Sequence, residues 1–395
     1  MESIKDKVAI VGMGCSVFGE LWDKSVDDLI IEATSEAFED AGIGPKDIQA
    51  AYAGTVTGYT GAAISRALKL QYIPITRVEN ECGTGEDAIR NAAFALASKA
   101  YDLILVVGYE KLKDYGYGGL PIEITKMPVV HPVYETTNTA PGNYALAATR
   151  YFERYGLSRE EGKRMLAKVS VKSHYNGARN PRAHLRRKVT IDQVINAPII
   201  AWPLGLYDCC GVTDGAVAAV MCRTEDAKAF RDDYVTIKGL GNSAGPTQGA
   251  MMSNYDYTHW EETEHAARQA YEQAGIKNPR TELDMAEVHD CFSIAEVIAI
   301  ESLGLCEKGR AKEDIDAGTF TQEGSLPINI SGGLKSFGHP LGASGIRAVY
   351  EIYKQIQRKA EDPSRQLKNV RMGLAHSQGG QPGKFVCGVV IVGAP

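Results

Sequence analysis

The 395-residue sequence holds no apolar run longer than a strand, no Cys-x-x-Cys pair and no His-x-x-x-His pair. Without roughly 18 consecutive apolar residues a membrane-spanning helix is not expected. Without paired cysteine and histidine spacings neither is a zinc site in this chain. Positive charge is in short supply too: 43 Lys and Arg against 49 Asp and Glu leave a net charge of −6, so the broad basic face that a phosphate backbone demands is missing and nucleic acid is not expected as the main ligand. No signal peptide is read at the start, because Lys5-Asp6-Lys7 runs straight into the brief Val8-Ala9-Ile10-Val11-Gly12, and Val392-Gly393-Ala394-Pro395 is no peroxisomal signal. The cytoplasm is the expected compartment, and eight cysteines in so long a chain read as reduced thiols rather than a disulfide framework. What is present is a globular composition, 44% hydrophobic and 23% charged, long enough for two core units of roughly 150 residues plus an insertion.

Short apolar strands alternate with amphipathic helices, which predicts α/β layering with mostly parallel strands. In the segment Val26 to Ala41, Val26, Leu29, Ile30, Ala33, Ala37 and Ala41 follow helical spacing and Gly42 ends the run. This unit recurs: Glu32-Ala33-Thr34-Ser35-Glu36-Ala37-Phe38-Glu39-Asp40-Ala41-Gly42-Ile43 is echoed by His265 to Ile276. Two similar halves follow, with Cys82 before a helix in the first and His339 in the corresponding turn of the second, so duplication predicts that the two turns face each other. Gly42 and Cys82 are 40 positions apart, Gly275 and His339 are 64, and an insertion is expected around 301–325. The expected domains are a first half over 1–115 and 204–230, an irregular loop domain over 116–203 rich in Tyr, Asn, Pro and Arg, and a second half over 231–395.

Three segments carry the chemistry: Val78-Glu79-Asn80-Glu81-Cys82-Gly83-Thr84-Gly85, His289-Asp290-Cys291-Phe292 and Gly338-His339-Pro340-Leu341-Gly342. Cys82 opens a helix, where unpaired N–H groups and the positive helix end are expected to favour a thiolate. His339 is pinned between Gly338 and Pro340 and suits the base that takes the Cys82 proton. His289 and Cys291, two apart, point to one face on a strand. Gly379, Gly380 and Gly383 permit the close backbone approach that an oxyanion pocket requires. Arg179, Arg182, Arg186, Arg187 and Lys188 form a run without an acidic residue, read either as a cradle for a nucleotide phosphate or as a solvated basic loop. Cys209 and Cys210 read as structural, Asp214 as a turn cap, and Cys15, Cys222, Cys306 and Cys387 as core.

These residues resemble the thiolase superfamily. The shared features are the Cys82-Gly83-Thr84-Gly85 turn, Gly338 through Gly345 as Gly-His-Pro-x-Gly-Ala-Ser-Gly, and Asp214-Gly215-Ala216, and the likeness runs over essentially the whole chain. His289-Asp290-Cys291-Phe292 and Asp208-Cys209-Cys210 resemble the sterol-carrier-protein-x-type and archaeal thiolases; ordinary thiolases carry Asn-Glu-Ala-Phe at the former and Cys-x-Gly-Gly-Gly where this chain has His376-Ser377-Gln378-Gly379-Gly380. The resemblance implies an α/β thiolase fold of two pseudo-repeated βαβαβαββ halves in five layers, αβαβα, with an inserted loop domain. It implies coenzyme A as a substrate and no metal in this chain. Cys82 would be the acyl-carrying nucleophile and His339 its base. Because His376 replaces the usual C-terminal cysteine, Cys291 would shuttle the second proton, with His376 a further candidate. The N–H of Cys82 and one near Gln378-Gly379 would hold the attacked carbonyl oxygen, and His289 and His339 the enolate oxygen.

The implied reaction is cleavage of a 3-oxoacyl-CoA by CoA, or its Claisen reverse. Tyr115, Tyr117, Tyr134 and Tyr144 with Asn138 and Asn143 suggest a roomy amphipathic pocket, and the chain also resembles thiolase subunits that cleave 2-benzoylsuccinyl-CoA in aromatic degradation. An acetoacetyl-CoA thiolase is the alternative. A ketosynthase-like enzyme would carry a His-Gly-Thr-Gly-Thr segment, which is missing, and a non-catalytic acyl-CoA scaffold would not need the Cys82, His339 and Cys291 set. The family implies a homodimer or tetramer and a small zinc-ribbon and OB-fold partner protein.

Overall fold

The computed structural model describes residues 3–115, 139–246 and 254–395. Tyr117, Tyr134 and Asn138, expected near the pocket, lie outside the described residues. The strands are β1 Val8–Cys15, β2 Ala50–Gly54, β3 Ile75–Val78, β4 Leu103–Glu110, β5 Ile199–Ala201, β6 Leu204–Gly205, β7 Gly215–Arg223, β8 Val235–Ala244, β9 Met285–Glu287, β10 Met372–Gln381 and β11 Lys384–Gly393. The longer helices are α1 Val26–Ala41, α2 Ala62–Leu68, α3 Thr84–Ala97, α4 Ala140–Arg154, α5 Arg159–Gly177, α6 Glu261–Ala274, α7 Ser293–Ser302, α8 Ala311–Ala317 and α9 Leu341–Ile356.

The duplication read from the sequence reappears in the strand order. The first half runs β3-β2-β4-β7-β1 and the second β9-β10-β11-β8, and the edges join where β1 meets β8 antiparallel at Ala9↔Thr236 and Ile10↔Val235. In both halves the first strand pairs antiparallel with the last, the last antiparallel with its predecessor, and that one parallel with its neighbour. Ile328 bridges in parallel to Ala286 of β9, where β3 lies beside β2 in the first half. The additional length of the second half includes α8.

Alternation along the strands sorts the core into layers. On the inner face Val8, Ile10, Ile104, Val106, Val217, Ala219, Val235, Ala375 and Val390 pack with α3 and α9. The other face of the first half, with Ala9, Val11, Leu105, Val107 and Ala218, is covered by α1 and α2. Leu374, Val389 and Ile391 on the other face of the second half are covered by α4, α6 and α7. The result is five layers, αβαβα.

Helix ends follow local chemistry. Ser25 and Asp28 form a capping box at α1, and Gly42 closes it in the left-handed conformation at φ 68°. Part of the segment expected to be irregular is helical: α4 is capped by Thr139 and α5 by a Ser158–Glu161 box. On α4, Tyr144, Ala147, Ala148, Tyr151 and Phe152 are buried at helical spacing. That period is present in the sequence, but the Tyr, Asn, Pro and Arg content of 116–203 gives the stretch the composition of a loop.

The central helices seat the two chemical turns together. A Cβ at Gly108 of β4 would stand 2.2 Å from the Gly342 carbonyl oxygen, so only glycine lets the start of α9 settle on the end of that strand. The buried Glu110 carboxylate ties the same place down, accepting from the N–H groups of Val56 at 2.5 Å, Thr57 at 3.2 Å and Gly342 at 3.2 Å.

Candidate active site

Cys82 stands just ahead of α3 on a turn that its neighbours hold rigid. The Thr84 hydroxyl donates to the Glu81 carbonyl at 2.5 Å and accepts from the Asn80 N–H at 2.9 Å, while the Gly83 N–H reaches the Asn80 carbonyl at 3.0 Å. Glu81 takes the left-handed conformation at φ 49°, a costly one for a residue with a side chain and one that tends to be kept where function fixes the backbone.

Donor atoms of Cys82, His289 and His339 all lie within 4.8 Å of one another, and the two imidazole rings stand edge to face with centroids 5.3 Å apart. Residues from the first half, from the loop after β9 and from the turn before α9 thus meet at one point. Among the described residues this is also the group of His, Cys, Asp and Glu donors close enough to be considered for a metal.

The protonation states follow from hydrogen bonds. The Ser344 hydroxyl donates to the Pro340 carbonyl at 2.8 Å, which commits its only proton. It therefore accepts from Nδ1–H of His339, 2.8 Å away, leaving the lone pair on Nε2. Nε2 is buried without a hydrogen-bond partner among the described residues. Burial, and secondarily the Arg347 charge, bring the His339 pKa down to about 3, so the ring is neutral at physiological pH. His289 is likewise pushed well below the usual histidine range, by burial first and then by His339 and His376.

The Cys82 thiol departs from expectation. Although the residue retains some accessible surface, burial pushes its pKa well above the usual thiol range, and Glu81, Cys210, Glu86 and Glu110 add to the rise. Desolvation outweighs the helix end, so the resting pair is thiol and imidazole, not thiolate and imidazolium. One prediction follows: Ser344→Ala removes the group that holds His339 in its basic tautomer. The acylation rate measured in a single turnover is expected to fall on the order of 10-fold, one hydrogen bond's contribution, and Ser344→Thr to restore it.

The other sequence candidates divide. Cys291 is buried, with its backbone carbonyl accepting from the Cys210 N–H at 2.8 Å. Cys210, read from sequence as structural, is close enough for its charge to act on both Cys82 and Cys291, and burial pushes its own thiol up to about 12. Nothing in the adjacent Cys209-Cys210 pair marks this in the sequence.

His376 is turned toward α6. Its Nδ1 accepts from the His289 N–H at 3.5 Å and its Nε2 lies 3.1 Å from the Thr263 hydroxyl. Both nitrogens are occupied, so the ring backs the His289 loop from behind. Gln378 donates from Nε2 to the Tyr144 hydroxyl at 3.2 Å. A Cβ on Gly379 would sit 2.3 Å from the Asn80 carbonyl oxygen and 2.9 Å from the Cys82 nitrogen, so glycine alone lets β10 lie against the nucleophile's own peptide.

The basic run is not a single patch. Arg182 is clasped by Glu36 at 2.7 Å and by Glu361, and it also bonds the Cys15 carbonyl. Arg179 stacks over Tyr175 at 4.2 Å and bonds Gln322 and the Ser364 carbonyl. Arg186, Arg187 and Lys188 are exposed. Of the expected pocket residues, Tyr115 is exposed, Asn143 donates to Gln381 at 2.6 Å, and Tyr144 is 1% exposed. Two cavities, of about 330 Å³ beside Lys172 and about 350 Å³ beside Tyr109, are lined by none of Cys82, His289, Cys291 or His339.

Comparison with known proteins finds relatives along nearly the whole chain. The family described as thiolase, N-terminal domain, matches residues 8–225, and the thiolase C-terminal domain-like family matches 218–389. An acetyl-CoA acetyltransferase of Methanothermobacter thermautotrophicus is 37% identical over 383 residues, 95% of this chain and 97% of that protein. The benzoylsuccinyl-CoA thiolase subunit BbsB of Thauera aromatica is 32% identical over 383 residues, 95% of this chain and 96% of that protein. Among solved structures, the Ltp2-ChsH2(DUF35) aldolase superposes with a TM-score of 0.84 at 25% identity, covering 100% of this chain and 99% of that one.

Proposed function

The chain belongs to the thiolase family of acyltransferases, which use coenzyme A as substrate and need no metal, and from that premise we propose that Cys82, His339, Cys291 and His289 cleave a 3-oxoacyl-CoA through an acyl-cysteine. The observation that carries this reading is the meeting of the Cys82, His289 and His339 donor atoms within 4.8 Å. His339 Nε2 takes the Cys82 proton as sulfur attacks the C3 carbonyl. The N–H of Cys82 and the backbone at Gly379 hold the oxygen. When the C2–C3 bond breaks, Cys291 gives its proton to C2, and the imidazolium of His339 with His289 faces the enolate oxygen. CoA then enters, gives its thiol proton to the Cys291 thiolate and attacks the acyl-Cys82, and His339 returns the first proton to the departing Cys82 sulfur. Charge balances at each stage: one imidazolium and one thiolate coexist between the two half-reactions.

Acetoacetyl-CoA is the substrate we favour, since two archaeal relatives at 37% and 38% identity are named acetyl-CoA acetyltransferase. Cleavage of 2-benzoylsuccinyl-CoA is the second reading, supported by the 32% identity to a subunit of that thiolase. Arg179, Arg186, Arg187 and Lys188 are the cations proposed to meet the phosphates of CoA; Arg182 would have to leave its carboxylates. The decisive assay incubates the protein with CoA and, in turn, acetoacetyl-CoA and 2-benzoylsuccinyl-CoA, with products separated chromatographically. Two acetyl-CoA per acetoacetyl-CoA is the expected result, and no shortened acyl-CoA from any 3-oxoacyl-CoA would refute the assignment.

We also assign a homodimer and a small zinc-ribbon and OB-fold partner. The edge strand β3 exposes Thr76 and Arg77, with Tyr59 and Tyr72 exposed nearby in sequence, and the aldolase of similar fold is described with a DUF35 component. The described residues include no helix long and apolar enough to cross a membrane, and the cytoplasm is the compartment proposed for this reduced-thiol chemistry.

A further inference from the structure

Two of the three groups that meet at the nucleophile keep a ring nitrogen unused. His339 and His289 are 6% and 1% exposed, and each buries a nitrogen, Nε2 in His339 and Nδ1 in His289, without a hydrogen-bond partner among the described residues. Buried polar atoms left alone in this way are rare in a folded core and call for an explanation. His339 gives its Nδ1–H to Ser344, so its Nε2 carries an available electron pair. Beside them lies the sulfur of Cys82. One thiol and two neutral imidazoles are a donor set that suits zinc.

The spacing is close to what such an ion requires. Zinc held by sulfur at about 2.3 Å and nitrogen at about 2.0–2.1 Å in tetrahedral geometry keeps its donor atoms about 3.3–3.6 Å apart. Here the donors lie within 4.8 Å of one another, so side-chain rotation has about 1 Å to close. Ser344 already does what a fixed acceptor does for a metal-bound histidine, taking the N–H of the other ring nitrogen and orienting the ring. The residual exposure of Cys82 gives an ion its way in. Burial and then the Glu81 charge oppose a bare thiolate there, and a dication on the sulfur removes that obstacle. Arg347, the cation that acts on His339, is paired with Glu287.

We propose that Cys82, His289 and His339 form a tetrahedral site for Zn²⁺, with water in the fourth position, and that the bound ion switches the enzyme off. This goes beyond the thiolase reading, because coordination needs only the three donors and no step of the reaction. As the S–Zn bond forms, the Cys82 S–H bond breaks and its proton passes to solvent; nothing is oxidised or reduced. The ion then occupies the sulfur electron pair that attacks the carbonyl and the Nε2 pair that takes the proton, so acylation stops. A chelator returns both pairs. Since the chemistry itself needs no metal, zinc here is an inhibitor and not a cofactor.

Co²⁺, whose absorption reports its ligands, is the probe. Titrated into the purified, reduced, metal-free protein, it is expected to give a near-ultraviolet sulfur-to-metal band and the strong visible bands of a four-coordinate ion, saturating at one ion per chain. Zn²⁺ should displace it. At ten times its dissociation constant, Zn²⁺ is expected to slow iodoacetamide labelling of Cys82 about 10-fold, only the free fraction reacting, and EDTA to restore the rate. Cys82→Ser should abolish the near-ultraviolet band. His289→Asn should weaken binding by about 100-fold or more, beyond the 10–100-fold that loss of an outer partner costs. Ser344→Ala, such an outer change, should weaken it about 10-fold, and serves if His289→Asn folds poorly. Absence of the sulfur-to-cobalt band at one equivalent, the same band in Cys82→Ser, or undiminished affinity in folded His289→Asn or Ser344→Ala overturns the proposal. The spectrum does not depend on turnover: the band without thiolysis of any 3-oxoacyl-CoA keeps the metal site and sinks the thiolase reading, whereas thiolysis without the band sinks the metal site alone.

Discussion

Cys82→Ser is expected to reduce thiolysis on the order of 10⁴-fold or more, the scale seen when a covalent nucleophile is removed from an otherwise intact site. The reasons are chemical, not steric. A serine hydroxyl fits the same turn, and the Thr84, Asn80 and Glu81 bonds that shape it do not involve the sulfur. The neutral His339 imidazole, brought down to about 3, is far too weak a base to deprotonate an alcohol readily, and burial together with Glu81, Cys210, Glu86 and Glu110 opposes negative charge at this position. Intact-protein mass spectrometry after mixing with acetoacetyl-CoA should show an acetyl adduct on the original protein and none on Cys82→Ser, with thermal melting unchanged. An acyl adduct retained by Cys82→Ser at the same rate would move the nucleophile elsewhere.

The second large effect belongs to His339. General-base groups contribute about 10²–10⁴-fold, and the upper part of that range is expected for His339→Ala. Burial keeps Cys82 a thiol at neutral pH, so little thiolate forms without a base in contact. The pH dependence carries the sign of this argument. In the original protein His339 is protonated only as pH approaches 3 and Cys82 ionises only well above the usual thiol range. The fraction of proton-transferred pair is then constant between those limits, and iodoacetamide labelling of Cys82 is expected to be flat from about pH 5 to 8. In His339→Ala the thiolate must form by ordinary ionisation, so labelling should climb about tenfold per pH unit across that interval. A limb near pH 6.5 in the original protein would instead show the pair titrating in the usual histidine range and contradict the depression of His339 by burial.

Legibility in the sequence tracked locality. The echo of Glu32–Ile43 at His265–Ile276 announced duplication because each copy repeats the same helix face, ending in Gly42 and Gly275 at φ 68° and 79°. Once duplication was accepted, Cys82 and His339 at equivalent turns had to converge, and they do. The α4 stripe lies inside a stretch whose richness in Tyr, Asn, Pro and Arg reads as irregular, although its buried residues keep helical spacing. Arg182 read as a free cation because its partners Glu36 and Glu361 lie far away along the chain.

By itself the sequence determined the two halves and the turns that present Cys82 and His339, because caps, glycine turns and side-chain period act over a few residues, while the reaction class followed from the resemblance of those motifs to a known family. The tertiary structure decided the protonation of the site. Whether Cys82 rests as thiol or thiolate and which nitrogen of His339 holds the lone pair depend on burial and on hydrogen bonds. Burial is a property of everything packed around a group, and no single stretch of chain contains it.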